Sequence, residues 1–414
     1  MSLPRSDQRR TAEQLLRGMM TTPGRKTARN MALRLGDPSA EQRFQHFIAK
    51  ARWDWEPVRR ALAAALERHS PAVAHVAHPL FLHKAGKGSV GVHERFVPEL
   101  GHRVNGQFAY GLWHASRSLS VPVGWHLELP DEWLTDPTRR VQAAIPERIA
   151  AGRGGDALPP TPLADLTAGR SGAGLPVIAD ARRLRLPALV EDLARAGLPW
   201  LVRTSGALTV LPAADSRCGE GPLPVHQLLW RNHQLRRPLD PRNPRRTAVA
   251  VRVHLPRTEG PWRGPGPDGE AKPLTLLAEW DESAGRLRGH WLTNIPGSTA
   301  ALMSLTACLD RAPERADEVD ASGLRDYSGR SFMGWHRHMT MVSVAHALRV
   351  LSGRPTWSAP PSGSARPRAA AGALQRGGHH ARAGEYRHGG HARPASLLDA
   401  ERVALLRWRS VKSS

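Results

Sequence analysis

Apolar residues fall at helical spacing once the chain leaves a polar, basic start. Met31 and Leu35, then Phe44, Phe47 and Ile48, lie on successive turns, with Asp37-Pro38-Ser39 as a break and restart. Beyond Trp53 and Trp55, Glu56-Pro57 opens another helix. Its Val58, Leu62, Ala65 and Leu66 share one face, opposite Arg59, Arg60, Glu67 and Arg68. Residues 25–70 are thus predicted as an N-terminal helical segment, either a cap on the main domain or a DNA-contacting module, and residues 1–24 as a disordered basic tail.

At Ala72 the period shortens to that of extended chain. Ala72–Leu82, Ser89–Phe96, Gly106–Ser116 and Val121–Pro130 read as strands with short connections, an antiparallel meander. A polar, Arg-rich helix follows around Thr138–Ile149, and then a Gly/Pro/Ala/Thr connection over 151–172. Leu175–Asp180, LPVIAD, is a short apolar strand ending in a carboxylate, the place where open sheets put their sites. The amphipathic helix Leu184–Gly197 and the strand Leu198–Arg203 complete a β-α-β unit. Antiparallel strands followed by β-α-β predict an α/β chain of mixed α+β kind, an RNase H-like sheet over 71–204, with other α+β layouts open.

Alternating runs at Ala248–Leu255, Leu274–Trp280 and Leu287–Asn294, separated by Pro/Arg/Gly loops, predict a β-rich insertion over 205–297. Residues 298–352 return to helices, one over Thr299–Leu309 and one over Gly334–Leu351, with a polar, acidic stretch at 310–333 between them. Residues 353–394 hold little to bury, and 353–414 is predicted mostly disordered, with a short helix at Leu397–Trp408.

Charge then narrows the function. The 414 residues carry 59 Lys+Arg against 37 Asp+Glu, a net charge of +22, and only six of the cations are Lys. Arginine forks onto phosphate and stacks on bases, so a polyanion, nucleic acid before anionic membrane, is the expected partner. Arg-rich codon usage is the alternative. Two cysteines, Cys218 and Cys308, exclude a disulfide framework and a four-thiolate metal site. No apolar run is long enough to span a membrane, and the expected location is the cytoplasm.

Cutting DNA on an RNase H-like sheet calls for hard anionic ligands to two Mg²⁺ ions: an acid from the first strand, one from the end of the fourth and one from a late helix. Asp180 has the second position. The stretches GRKTARNMALRL and FQHFIAKARWDWEPVRRAL, then KGSVGV, VGWHLELPDEW with AAIPE, VIAD, and RSFMGWHRHMTMVSVAHAL occur in family order over residues 24–351. In combination they resemble the DDE-type bacterial insertion-sequence transposases of the branch with a Tyr-Arg-Glu-Lys signature. That resemblance implies an RNase H-like catalytic domain with a β-rich insertion, Mg²⁺ or Mn²⁺, and double-stranded DNA at terminal inverted repeats as substrate. A homodimer is compatible with it, and no membrane partner is implied.

The chain also departs from the pattern. Where the family has an acidic pair on its first strand, this chain has Ala77-His78-Pro79-Leu80-Phe81. His78, or His75 nearby, is a poor substitute, because neutral imidazole suits Mg²⁺ badly. Glu314 is the nearest match to the third acid, with Glu318 as fallback, and Pro313 is expected to break the helix that must present it. Asp180 and Glu314 are accordingly the candidate catalytic and metal-binding residues. Arg182, Arg183, Arg330, His336 and Arg337 are the candidate DNA contacts, a solvated basic face being the alternative. His336 and His338 do not share a helix face and are not read as a metal pair. The expected function is that of a transposase-family protein impaired by loss of its first acid. A non-catalytic DNA-binding relic or a general basic nucleic-acid-binding protein is the alternative.

Overall fold

The structure, a computed structural model, describes residues 2–97, 101–147, 149, 174–182, 184, 186–213, 221–240, 242–256 and 272–353. The chain divides into two units, 1–347 and 348–414, and only the first few residues of the second are described.

Four helices open the chain: α1 (Ser6–Thr21), α2 (Ala28–Leu35), α3 (Ala40–Ala49) and α4 (Trp55–His69). The disordered tail expected over 1–24 is largely α1. Its Ala12, Leu15, Leu16 and Met19 are buried and recur at i, i+3, i+4 and i+7, an apolar stripe that holds the helix on α2 and α3. The hydroxyl of Thr27 caps α2 by accepting from the Asn30 N–H, and Asp54 caps α4 by accepting from the Glu56 N–H.

The central sheet is built from β1 (Ala74–His83), β2 (His93–Val97), β3 (His102–Ala115), β4 (Ser120–Leu127), β5 (Val177–Asp180) and β6 (Trp200–Thr204). β3 pairs antiparallel with β1 along one edge, and with β2 and β4 in tandem along the other. β5 lies parallel to β1, His75 to Ala77 facing Val177 to Ala179, and β6 lies parallel to β5. The lateral order β4-β3-β1-β5-β6 is that of an RNase H-like mixed sheet. β2 begins at His93 rather than Ser89, because Gly91 (φ +72°) turns the chain with a Val92 N–H to Ser89 carbonyl bond. Of the helix expected over Thr138–Ile149 the described residues form only the first turns, in α6 (Pro137–Gln142), which follows a short α5 (Asp131–Thr135). α7 (Leu186–Arg195) connects β5 to β6.

The β-rich stretch after β6 continues the same sheet. It comprises β7 (Thr209–Pro212), β8 (Leu223–Pro224), helix α8 (Val225–Arg231), β9 (Arg237–Asp240), β10 (Asn243–His254), β11 (Leu274–Asp281) and β12 (Arg286–Thr293). β12 pairs antiparallel with β6, Leu201 facing Thr293 and Thr204 facing His290, and β11, β10, β7 and β8 follow outward. One apolar core runs under both parts: Val177, Ala179, Leu189, Leu193 and Val202 pack with Val249, Val251, Leu276 and Leu292. An edge strand left unpaired at β6 would expose a row of backbone groups, and β12 covers it.

Two late helices complete the fold, α9 (Thr299–Asp320) and α10 (Phe332–Leu351). α9 does not stop at Leu309 as expected but runs on through Pro313. The missing N–H of Pro313 removes one internal bond at a cost of about 3 kcal/mol, and the turns on either side carry the helix past it. α9 packs against β1, β4 and β5. The predicted disorder over 353–414 and the helix at Leu397–Trp408 lie, Gly353 apart, outside the described residues, as does the connection over 151–172.

Candidate active site

Alternation along β5 sorts its side chains onto two faces. Val177 and Ala179 join the core that α7 covers, so Ile178 and Asp180 face the other way. β1 continues the pattern: Ala77 lies beside Ala179 in that core, and the next residue, His78, is the lateral neighbour of Asp180. On the other side Arg203 of β6 pairs with Asp180. The row across the sheet at this level is therefore Gly111, His78, Asp180, Arg203 and Trp291.

This row has the wrong electrostatics for a divalent cation. Burial pushes the His78 imidazole down to about 4 against a small opposing pull from Asp180, so the ring is neutral near pH 7. Asp180 is engaged on both oxygens by Arg182. Nε lies 2.9 Å from Oδ1 and 3.1 Å from Oδ2, and one terminal nitrogen lies 2.6 Å from Oδ2. The Arg182 backbone N–H also donates to Oδ1 at 3.1 Å, closing a turn at the strand end. These hydrogen bonds raise the Arg182 pKa. The Arg203 guanidinium lies over the Trp291 ring at 5.9 Å and donates to the Arg288 carbonyl at 2.9 Å.

The remaining candidates disperse. Glu314 lies on α9, the helix that packs against β1 and β5, but its side chain is outside the described residues. Glu318, one turn further on, is half-buried. Arg183 lies outside the described residues, and Arg330 is exposed, its guanidinium against Gly88 of the KGSV loop.

His336 and Arg337 require a correction. They are 5% exposed each and face protein, not solvent. The His336 ring stacks on Trp55 at 4.6 Å, with Nδ1 3.1 Å from an Arg59 nitrogen. Arg337 donates to the carbonyls of Trp53, Ile48 and Ala49 at 3.2, 3.3 and 3.5 Å, and burial lowers its pKa. Their polar atoms fasten α10 to the α3–α4 corner, which leaves no side for a phosphate. Sequence reading had also placed Arg59 on a polar face. It is 1% exposed and donates to Thr340 Oγ1, the Trp125 carbonyl and Glu56. The only sequence hint of this junction was the aromatic company of Trp53, Trp55 and Trp335.

The Mg²⁺ or Mn²⁺ that an RNase H-like nuclease uses needs several oxygen anions converging on one point. Among the described residues no three His, Cys, Asp or Glu side chains converge in that way. Asp180, the carboxylate that ends β5, has a guanidinium across both oxygens. The described residues do not fit the metal, and no reaction step is derived through it. No helix among them is long and apolar enough to cross a membrane.

A family model described as DDE superfamily endonuclease matches residues 1–263, more than half of the chain. No curated protein matches it.

Proposed function

The chain belongs to the DDE superfamily of endonucleases, and from that premise we propose that it is a transposase-type protein that binds insertion-sequence-end DNA but has impaired or lost catalysis. The observation that carries this reading is the local chemistry around Asp180. The adjoining first-strand position holds a neutral histidine, and Arg182 supplies the positive charge that a metal would otherwise bring. Asp180 and Glu314 mark the second and third acid positions of the ancestral site. Removing one metal-binding carboxylate from such a site costs several kcal/mol of transition-state stabilisation, a rate loss of at least about a thousandfold.

Binding rests on different residues. Of the expected contacts, Arg330 is exposed and Arg182 half-exposed beside the strand end. With Arg183 they are the proposed contacts to terminal-inverted-repeat duplex, in a cytoplasmic protein that acts as a monomer or homodimer. A net charge of +22 made almost wholly of arginine supports the polyanion partner. The test is a salt titration of affinity for duplex DNA. The log-log slope is expected to be steep, about −0.9 per phosphate contacted, and a flat dependence overturns the reading.

A further inference from the structure

His226 and His290 come together at the turn that leaves β6, on the face of the sheet opposite Asp180. Alternation sets that face. Leu292 joins the core that α7 covers, so His290, two residues before it on β12, shares its side, beside Ala278 of β11 and Thr204 of β6. Arg203 and Trp291 lie together on the other side. The turn after Thr204 brings Gly206 against the His290 ring. A Cβ at Gly206 would lie 3.0 Å from His290 Cε1, 3.5 Å from His290 Nε2 and 3.5 Å from His226 Cβ. The Gly206 backbone is not left-handed, so the missing side chain makes room for the imidazole rather than for an unusual φ.

Each ring keeps a nitrogen for a ligand. The Gly206 carbonyl lies 2.9 Å from His226 Nδ1 and 3.0 Å from the His226 backbone nitrogen. A carbonyl only accepts, so Nδ1 carries the proton and Nε2 of exposed His226 keeps its lone pair. His290 Nε2 is buried and has no hydrogen-bond partner among the described residues, where a buried polar atom is normally paired. Burial first, then His226 and Arg203, push the His290 pKa down to about 4, so this ring is neutral near pH 7.

We propose that His226 and His290 form a two-imidazole site for a divalent transition-metal ion of the zinc class. Neutral nitrogen donors suit Zn²⁺, Ni²⁺ and Cu²⁺ and suit Mg²⁺ poorly, so the site is chemically distinct from the carboxylate position on β5. Zinc holds imidazole nitrogens at about 2.0–2.1 Å, and the exposed side chain of His226 is the one that adjusts to that distance. Water fills the positions that two protein ligands leave. The donors stand on separate elements, α8 and β12, with the turn from β6 between them. A bound ion therefore ties α8 to the sheet and stabilises the fold according to its occupancy. The site needs neither DNA nor the Asp180 centre.

The test titrates the full, tag-free chain with Zn²⁺ alone, following bound metal by equilibrium dialysis and the fold by thermal unfolding. Affinity for one ion should fall at least about tenfold in His226→Gln and in His290→Gln, so that each binds one Zn²⁺ fewer than wild type. The double variant should lose no more ions than either single one, because one ion uses both rings. Zn²⁺ should also raise the melting temperature of wild type more than that of either variant. Urea unfolding without metal checks that His290→Gln is folded, and exposed His226→Gln decides the matter if it is not. Equal Zn²⁺ binding by wild type and His226→Gln, or ion losses that add in the double variant, overturn the site.

Discussion

Replacing Arg337 by alanine separates a structural role for this residue from a role at the DNA. Its guanidinium donates to three carbonyls of the α3–α4 corner and lies 5.7 Å over the Trp53 ring. A hydrogen bond from a charged donor contributes about 1.5–3 kcal/mol, but the contacts at 3.3 and 3.5 Å are long and count for less. The cation–π contact adds about 1–2 kcal/mol. Against these stands the cost of burying the cation, visible in its lowered pKa. The net loss is about 2–4 kcal/mol, a fall in melting temperature of about 3–5 °C for a body of this size. The assay is thermal unfolding of wild type, Arg337→Ala and Arg330→Ala, run beside the salt dependence of DNA affinity. Exposed Arg330 provides the contrast: its removal should shift the melting temperature by no more than about 1 °C and reduce the salt slope by about 0.9. An Arg337→Ala protein that melts with wild type while its salt slope falls by about 0.9 refutes the structural assignment.

Three further outcomes are expected. His78→Asp puts a second carboxylate beside Asp180, so millimolar Mn²⁺ should raise the melting temperature of this variant more than that of wild type; equal shifts contradict the account of the site. His78, His126, His290 and His338 are each pushed down to about 4, chiefly by burial, so all four stay neutral in the fold while the unfolded chain protonates near 6.5. Stability to urea should therefore drop as the pH falls from about 6.5 towards 4 and recover on return, and a level profile over that window is the contrary result. Gly91→Ala forces a Cβ into the left-handed region and to 2.8 Å from the Glu128 carbonyl, which should cost about 2–3 kcal/mol in urea unfolding; a loss below about 0.5 kcal/mol would mean the turn relaxes freely.

Local pattern made much of the sheet legible. Val177, Ile178 and Ala179 could only be a buried strand, and alternation in AVAVRVHL marked β10. What pattern could not show was pairing at a distance. Nothing local tells β12 to add to β6, so a continuous sheet reads as an insertion. Polarity misled in the helices for a related reason. Arg59, His336 and Arg337 have the residue types of a solvated face, and only the converging elements reveal that each is buried against carbonyls and rings. In α1 the stripe of Ala12, Leu15, Leu16 and Met19 was present in the chain, but the flanking arginines obscured it. At the site, Asp180 at the end of its strand and His78 on the first strand could be read directly, because strand position and residue identity are both local. The grip of Arg182 on Asp180 could not, since a side chain two residues on can turn to solvent or fold back.

In its stronger form, the proposal is that catalysis at the centre around Asp180 is lost and not merely impaired. A nicking and strand-transfer assay on terminal-repeat DNA, with Mg²⁺ or Mn²⁺, tests it most directly when wild type and Asp180→Ala are run together. The account predicts that DNA is bound and that the two proteins give the same background level of product. Product from wild type that Asp180→Ala abolishes would contradict it.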